Sequence, residues 1–384
     1  MSTESQSGSH SEPDGPAPRV LVNGVVLDQP MGGVRRHNAE LLPRLARLLH
    51  EAGGSLTVME GKGGLAIDLP AEVERIASVV PSRPPLLRAL REGRALTRTC
   101  KEAAAAGRPF DLVHTGHLPA PRALPAPLTL TIHDLRNLDL ANSAHSRRLI
   151  ARSVIGHALH CAAAVFTVSE FTAQRLREEW PAVTEKLSLV PNAADHFEPL
   201  PRKPGEDACL LHLGHLEPRK NLELLVRALA LDPELPDLLL AGTAKGDERE
   251  RLEQLALELG VQRRVRFPGA FEERELPQLL ATCAAVVLPS RLEGFGIVAL
   301  EAQRAHAPLA VSTAGALPAI AGEGVPTFDP DDPAGCARAV RAALRLPADA
   351  LEAHAARAGE HRWDAAADLW LSGLRRAARR ERVN

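Results

Sequence analysis

The stretch PSRLEGFGIVALEAQRAHAPLAVS, residues 289–312, decides the fold. The apolar run CAAVVLPS leads into it and predicts a buried strand that ends at Pro289. Gly294 and Gly296 follow, then IVALEAQRAHA with helical composition, then the second apolar run APLAVS. This order predicts a parallel βαβ crossover, whose loop points backbone N–H groups at an anion. For EGFG alone, an ordinary glycine turn is the simpler interpretation.

Composition bounds the class of protein. The chain has 384 residues, 45% of them hydrophobic and 24% charged, which is typical of two globular α/β domains. A net charge of −2 gives no indication of nucleic-acid binding. No run of eighteen apolar residues and no signal-like N-terminus occurs, so we expect a cytoplasmic protein. Five scattered cysteines without a CxxC pair predict reduced core residues.

The first half alternates apolar strands with helices, which favours a parallel sheet. We predict a disordered tail over 1–18, because it lacks periodicity, and a first strand over 19–28. The loop MGG places Gly32 and Gly33 before a helix with a leucine stripe. This arrangement is typical of a phosphate-binding loop, and the alternative is a tight turn that requires glycine. A later strand, LTLTIHDL, ends at His133 and Asp134, and Ser169 or Glu170 is expected to cap a following helix.

The second half restarts after a proline-rich, charged segment. We therefore predict domains over 19–198 and 208–362, a linker over 199–207, and a C-terminal helix over 363–384 that packs back on the first domain. In GHLEPRKN, two cations and a capping Asn221 stand between a strand and a helix, beginning at Gly214. Gly242 and Gly269 end later strands, and APLAVSTAGALPAIAG is predicted as a strand. Ligands bind at this edge of open α/β sheets.

Taken together, the ordered motifs resemble those of the family-4 glycosyltransferases. Glu293 and Glu301 resemble their E-x7-E element, and GHLEPRKN is similar to their RKN loop. MGGVRRHNAELL, TIHDL, VFTVSEFT, VPNAADHF and RWDAAADLWL resemble further family segments, so the resemblance spans about residues 20 to 372. It implies the α/β GT-B architecture, in which two Rossmann-like domains face each other across a cleft.

The resemblance also implies roles for individual residues. Arg219 and Lys220 would bind the donor diphosphate, Glu301 the ribose hydroxyls, and Glu293 the transferred sugar. His133 would lie near the sugar, Asp134 would fix its loop, and Gly33 would admit the diphosphate. The remaining implied donor-binding positions are Gly32, Gly214, Asn221, Gly242, Gly269, Gly294, Phe295, Gly296 and Ile297.

The implied reaction is transfer of a sugar from a nucleoside-diphosphate donor, GDP- or UDP-linked with a lean towards mannose, with retention of configuration. The implied acceptor is a glycan or glycolipid, and neither cofactor nor metal is expected, because cations can stabilise the leaving group. Asp329 and Asp331 form a DxD string, interpreted as a solvated turn. Ala319 and Ala193 depart from the family pattern, where Glu and Gly are frequent. A UDP-sugar epimerase and a non-catalytic binding module remain the alternatives.

Two basic helical segments, Arg88 to Lys101 and Arg147 to Arg152, suggest peripheral contact with an anionic membrane. The competing interpretation is a solvated helix face over a leucine stripe that includes Leu87, Leu90 and Leu96. His114, His117, His145 and His157 lack the spacing of metal ligands and are predicted to be structural or exposed.

Overall fold

A computed structural model describes residues 17–28, 32–121, 123–139 and 145–383. The first half contains a seven-stranded sheet in the order β3-β2-β1-β4-β5-β6-β7, and every pair of neighbours is parallel. The strands are β1 (Arg19–Gly24), β2 (Ser55–Glu60), β3 (Glu74–Ala77), β4 (Leu112–Thr115), β5 (Leu128–Ile132), β6 (Ala162–Thr167) and β7 (Leu187–Leu189). The helices are α1 (Gly33–Glu51), α2 (Pro85–Ala105), α3 (Arg136–Asp139), α4 (His145–Cys161) and α5 (Glu170–Glu179).

The second half contains a six-stranded parallel sheet in the order β10-β9-β8-β11-β12-β13. Its strands are β8 (Leu210–Leu213), β9 (Leu238–Ala241), β10 (Val265–Gly269), β11 (Ala285–Leu288), β12 (Leu309–Ser312) and β13 (Thr327–Phe328). The helices are α6 (Leu222–Leu231), α7 (Glu248–Glu258), α8 (Leu276–Thr282), α9 (Ile297–Arg304), α10 (Leu317–Ala321), α11 (Pro333–Leu344), α12 (Ala348–Glu360) and α13 (Trp363–Val383). The prediction of two parallel-sheet, Rossmann-like domains is confirmed.

Burial explains why these segments form strands. All four residues of β4, β8 and β11 are buried, as expected when helices cover both faces of a parallel sheet. The helices that cover the sheets are amphipathic: α1 buries Leu41, Leu42, Leu45 and Leu49 at helical spacing. Continuous apolar runs and a 3.6-residue apolar period therefore account for most of the architecture.

The last helix returns from the second half to the first. Trp363 and Trp370 of α13 are fully buried in the same core as Leu41 of α1 and Phe166 of β6. At Gly373, an added Cβ would lie 2.3 Å from the Phe166 ring, so glycine permits the helix to approach the sheet closely. The first domain is thus completed by the end of the chain.

Several predicted boundaries are wrong. The first strand ends at Gly24 and not at 28, because Asn23 Oδ1 accepts from Val25 N–H and Leu27 N–H bonds to Gly24 O in a turn. The GALPAI segment, predicted as part of a strand, forms the short helix α10. The sequence did not predict the edge strand β3, because most of its side chains are exposed and it lacks an apolar run.

The predicted tail falls mostly outside the described residues, which begin at position 17. Ala17 is buried, and its N–H bonds to Ala52 O at 3.1 Å, so it joins the fold. All five cysteines are free, but Cys161 and Cys209 are only partly buried, which corrects their interpretation as core residues. Among the described residues, no helix is long and apolar enough to cross a membrane.

Candidate active site

The centre of the site is an ion-pair network at the carboxyl ends of β8 and β11. Arg219 and Lys220 lie in the short 3-10 helix Pro218–Lys220 that follows β8. Arg219 NH1 lies 3.0 Å from Glu293 Oε2, and Lys220 Nζ lies 2.5 Å from Glu293 Oε1. Ser290 Oγ donates to the same Oε1 at 2.8 Å. The structure therefore brings the three residues predicted around the donor into direct contact.

Opposing charges set the protonation of this network. Burial alone would raise the pKa of Glu293, but the neighbouring Lys220 and Arg219 outweigh it and hold that pKa far below its usual range. Burial likewise opposes the charge on Arg219, whose pKa is nevertheless raised by Glu293 and Glu217. The Glu293 carboxylate and the Arg219 guanidinium are consequently charged across the physiological pH range, and the two basic side chains converge on one carboxylate.

Asn221 does not cap its helix through the side chain, so that part of the prediction is wrong. It occupies the residue before α6 in a left-handed conformation, with φ of 55°. Its amide donates instead to Pro289 O at 3.1 Å and Pro330 O at 2.7 Å. The side chain thereby ties the cation loop to the loops after β11 and β13, which fixes Arg219 and Lys220 relative to Glu293.

Three glycines allow the backbones at neighbouring strand ends of the second sheet to approach closely. Gly242 follows β9 with φ of +154°, and an added Cβ would lie 1.8 Å from Gly214 O. Its N–H bonds to Gly269 O at 2.8 Å. Gly214, Gly242 and Gly269 therefore lie at one sheet edge, and in the part of the chain that the structure describes no atom beyond the chain neighbours lies within 4 Å of a Cβ added to Gly214 or Gly269.

The EGFG loop contacts the first domain directly. A Cβ added to Gly294 would lie 1.9 Å from His133 O and 2.9 Å from Asp134 Cβ. Ser169 Oγ donates to Gly294 O at 2.5 Å, and Ser169 also caps α5, as predicted, by accepting from Thr172 N–H. The glycine was expected to admit a ligand, and in the structure it admits the backbone of the facing domain.

His133 and Asp134 follow β5 on the opposite side of the cleft. Asp134 accepts from Arg136 N at 3.1 Å and pairs with its guanidinium at 2.7 Å, contacts that hold the loop. His133 Nε2 is buried without a hydrogen-bond partner among the described residues. Burial, followed by the neighbouring His37, His114 and Arg136, lowers the pKa of His133 well below its ordinary value. The imidazole is therefore neutral and can bond a hydroxyl.

Buried histidines around His133 make the fold sensitive to acid. Burial lowers the pKa of His37 to about 4, although a hydrogen bond to Asn192 acts in the opposite direction. Burial lowers the pKa of His114 to about 3. Between pH 6.5 and these values the unfolded chain binds protons that the folded one excludes, so stability falls as pH falls. We expect a loss of roughly 2 kcal/mol per histidine at pH 5.

Thermal melts at pH 7 and pH 5 test this expectation. His114→Asn removes one of the buried groups and should flatten the pH dependence of Tm, whereas His50→Asn, at an exposed position, should leave it unchanged. A wild-type Tm that is constant between the two pH values would contradict the expectation.

Gly32 and Gly33 lie where the first helix begins. Gly32 has φ of +125° and precedes α1, while Gly33 is its first residue. Among the described residues, no atom beyond its chain neighbours lies within 4 Å of a Cβ added to Gly33, so packing against them does not require glycine there. Residues 29–31 of the same loop lie outside the described part of the chain.

Because a Cβ at Gly33 meets no described atom within 4 Å, the variant Gly33→Ala can test donor binding without disturbing the packing of the fold. We expect an unchanged Tm and a donor KM raised about tenfold or more, since the added methyl group would meet a diphosphate that approaches the backbone. Titration with a donor nucleotide measures the effect, and Gly359→Ala, in open space on α12, is the matched control. A normal donor KM in Gly33→Ala would remove this loop from the site.

The second glutamate lies on α9 near the crossing between domains. Glu301 is 6% exposed, and its Oε1 lies 3.1 Å from His196 Nε2. Gly296 precedes α9 with φ of +93°. Phe295 and Ile297 are buried in an apolar cluster with Val168. Their side chains thus serve packing, which leaves only their backbone N–H groups for the predicted ligand contacts.

Sequence reasoning missed two charged residues beside the cations. Glu217, which is 8% exposed, lies 2.8 Å from Arg219 NH2 and 3.0 Å from Lys245 Nζ. Lys245 follows β9, so the strand-end argument that singled out Arg219 could have found it. The edge therefore carries three cations and two carboxylates.

The DxD string forms a turn, as interpreted. Asp331 N–H donates to Asp329 Oδ1 at 2.8 Å, and the Asp331 carboxylate pairs with Arg291. Within the described ranges, no three His, Cys, Asp or Glu side chains are grouped so that they could hold a metal ion.

Sequence comparisons agree with this arrangement. The model described as "Glycosyltransferase Family 4" matches residues 31–196, and that described as "Glycosyl transferases group 1" matches 195–362. The D-inositol 3-phosphate glycosyltransferase of Streptomyces avermitilis is 30% identical over 334 residues, 75% of this chain and 71% of that protein. The chain belongs to the family-4 glycosyltransferases.

Two further similarities differ in how much of each chain they cover. The serotype-specific mannosyltransferase WbdA of Escherichia coli is 32% identical over 233 residues, but the match spans 56% of this chain and only 29% of WbdA. The solved structure of Anabaena Alr3699/HepE in complex with UDP and glucose has a TM-score of 0.64 at 20% identity, covering 90% of this chain and 95% of that one. The latter supports the GT-B fold.

Proposed function

We propose that the protein transfers a sugar from a nucleoside-diphosphate sugar to a hydroxyl of a glycan or glycolipid. One observation carries the proposal: Arg219 and Lys220 converge on Glu293 at a sheet edge that faces His133 across the cleft. Ligands of open α/β sheets bind at this edge. The network combines cations for a diphosphate with a carboxylate for sugar hydroxyls.

In this proposal the two cations stabilise the departing nucleoside diphosphate. A diphosphate carries more negative charge than one carboxylate and competes with Glu293 for Arg219 and Lys220. Arg grips phosphate oxygens through its planar fork, while Lys acts as a point charge. Glu293 then accepts hydrogen bonds from the sugar, and Glu301 from the ribose.

Retention follows if the acceptor hydroxyl attacks from the face that the diphosphate leaves, with a phosphate oxygen accepting the proton. This route needs no protein nucleophile. We further propose that no metal is required, because preorganised cations can supply the charge that a divalent ion would supply. The support is the position of Arg219, Lys220 and Lys245 along one edge.

The donor is proposed to be a GDP- or UDP-sugar, with mannose favoured. A named mannosyltransferase is among the relatives, and the HepE structure is a complex with UDP and glucose. The decisive assay measures nucleoside diphosphate release from GDP-mannose and UDP-glucose, with and without EDTA. Acceptor-dependent release that survives EDTA supports the proposal. An isomerised donor would indicate an epimerase, absence of turnover would indicate a binding module, and loss in EDTA restored by Mg²⁺ would overturn metal independence.

We also propose that the first domain rests on an anionic membrane at its cytoplasmic face, where a lipid-linked acceptor would lie. Leu149 and Ile150 of α4 are 55% and 65% exposed beside exposed Arg148 and Arg152. On α2, Leu90 is 70% exposed, whereas Arg88 is buried. The sequence predicted Arg88 on the solvated face and Leu90 in the core-facing stripe, and the structure shows the reverse. Exposed apolar side chains among arginines fit an anionic lipid interface.

Vesicle co-sedimentation tests this surface. We expect binding to phosphatidylglycerol vesicles, weaker binding to phosphatidylcholine, and loss of binding in Leu149→Ser/Ile150→Ser. Leu257→Ser, an exposed leucine on α7 of the other domain, is the control. Equal sedimentation of the double variant and the wild type would refute the assignment.

A further inference from the structure

A second polar cluster lies in the first domain, on the same sheet edge as His133. We call it the Glu92 cluster: Asn23, Arg88, Glu92, Thr115 and His117. Asn23 lies near the end of β1 and Thr115 ends β4, while Arg88 and Glu92 occupy one face of α2. β1, β4 and β5 are adjacent strands, so their carboxyl ends bring this cluster and His133 to one place.

Glu92 is the buried centre of the cluster. Its residue exposure is 0%, and its Oε2 lies 2.9 Å from His117 Nε2 and 3.3 Å from Arg88 Nε. The other oxygen, Oε1, is buried without a hydrogen-bond partner among the described residues. A buried carboxylate oxygen without a hydrogen-bond partner is destabilising, so a donor that reaches it would stabilise the site.

The contact with Glu92 fixes the tautomer of His117. A carboxylate accepts hydrogen bonds, so Nε2 carries a proton, and in the neutral tautomer that fits this contact Nδ1 carries the lone pair. The 3.4 Å approach of Asn23 Nδ2 to Nε2 is then not a hydrogen bond, because both atoms are donors. Among the described residues, the contact to Nδ1 is a long one of 3.4 Å from Thr115 Oγ1, which leaves Nδ1 able to accept from a ligand hydroxyl.

The cluster is continuous with the active site. Gly116, between Thr115 and His117, would place an added Cβ 3.7 Å from His133 Nε2, the atom without a partner. His117 retains about a tenth of its side-chain exposure. The imidazole of His117, held by a buried carboxylate, thus lies beside His133, which contacts Gly294 of the second domain.

We propose that the Glu92 cluster binds the acceptor through His117, which Glu92 orients, and that its ligand is an uncharged sugar or polyol hydroxyl. This assignment rests on the proposed transferase function. Arg88 is neutralised by Glu92 and also donates to Leu118 O at 2.6 Å, so the cluster holds no spare cation for a phosphate. Glu92 is a positioning residue, and His117 contacts the acceptor.

The test compares Glu92→Gln with Glu102→Gln, the same substitution at an exposed position of α2. Each variant is assayed for acceptor-independent donor hydrolysis and for transfer to methyl α-mannopyranoside and to D-inositol 3-phosphate. We expect Glu92→Gln and His117→Gln to raise the acceptor KM about tenfold or more, because the hydroxyl loses an oriented acceptor atom. The loss of transfer should exceed any loss of donor hydrolysis in both variants, and the control variant should match the wild type in every assay.

The outcomes separate the acceptor site from the proposed function. Parallel losses of donor hydrolysis, transfer and Tm in Glu92→Gln would make the cluster structural and overturn the assignment. A wild-type protein that hydrolyses donor but transfers to neither probe, or prefers the phosphorylated one, overturns the acceptor assignment alone. Absence of any nucleotide release overturns the transferase function with it.

Discussion

Arg219→Ala is expected to lower kcat by a factor of about 10² to 10³. The guanidinium contacts Glu293 at 3.0 Å and Glu217 at 2.8 Å, and in the proposed reaction it meets the charge that develops on the leaving diphosphate. Removal of one preorganised donor of this kind costs roughly 3–4 kcal/mol of transition-state stabilisation. Single-turnover release of nucleoside diphosphate measures the loss.

The loss should be specific to position. Arg274→Ala removes an arginine that is 82% exposed and should leave the rate unchanged. Arg219→Lys keeps the charge without the planar fork, so its rate should fall between those of the wild type and Arg219→Ala. Near-normal turnover in Arg219→Ala would exclude the cation network as the diphosphate site.

Gly294→Ala is expected to remove more than about 99% of the activity while both domains remain folded. The added methyl group would lie 1.9 Å from His133 O, so the EGFG loop and the loop after β5 must separate. A displacement of about 1 Å in a catalytic arrangement can cost roughly a hundredfold in rate. The large apolar cluster around Leu41 in the first domain and that around Leu225 in the second include no residue of either loop, so both should survive.

Circular dichroism and kcat/KM together test this expectation, with Gly359→Ala as a glycine-to-alanine control in open space. We expect unchanged secondary structure in both variants and a rate loss only in Gly294→Ala. If Gly294→Ala is fully active, the contact between Gly294 and His133 is not part of the active arrangement.

The sequence predicts the strands that are buried on both faces. β4, β8 and β11 are continuous apolar runs because helices cover both sides, and that pattern can be read locally. β3 carries the opposite pattern: Glu74 and Arg75 are exposed, and only pairing with β2 makes the segment a strand. No predicted element covers α11 or α12, whose identity depends on which faces pack against neighbours.

The candidate site likewise contains residues that local sequence patterns predict and contacts that they do not. Arg219, Lys220 and Glu293 follow strands of one sheet, so strand order alone indicates that they meet. The contact between Gly294 and His133 depends on how the two sheets face each other, which no local pattern contains. Glu92 was missed because its importance comes from burial against His117, twenty-five positions along the chain.

The return of α13 to the first domain means that the chain crosses between domains twice. The two crossings are side by side: Asp195 Oδ1 accepts from Trp363 N–H at 3.0 Å, and Trp363 Nε1 lies 3.4 Å from His196 Nδ1. Two adjacent connections act as a hinge, which permits rotation about one axis and resists sliding. Glu301 contacts His196 beside that axis and would move little during such a rotation.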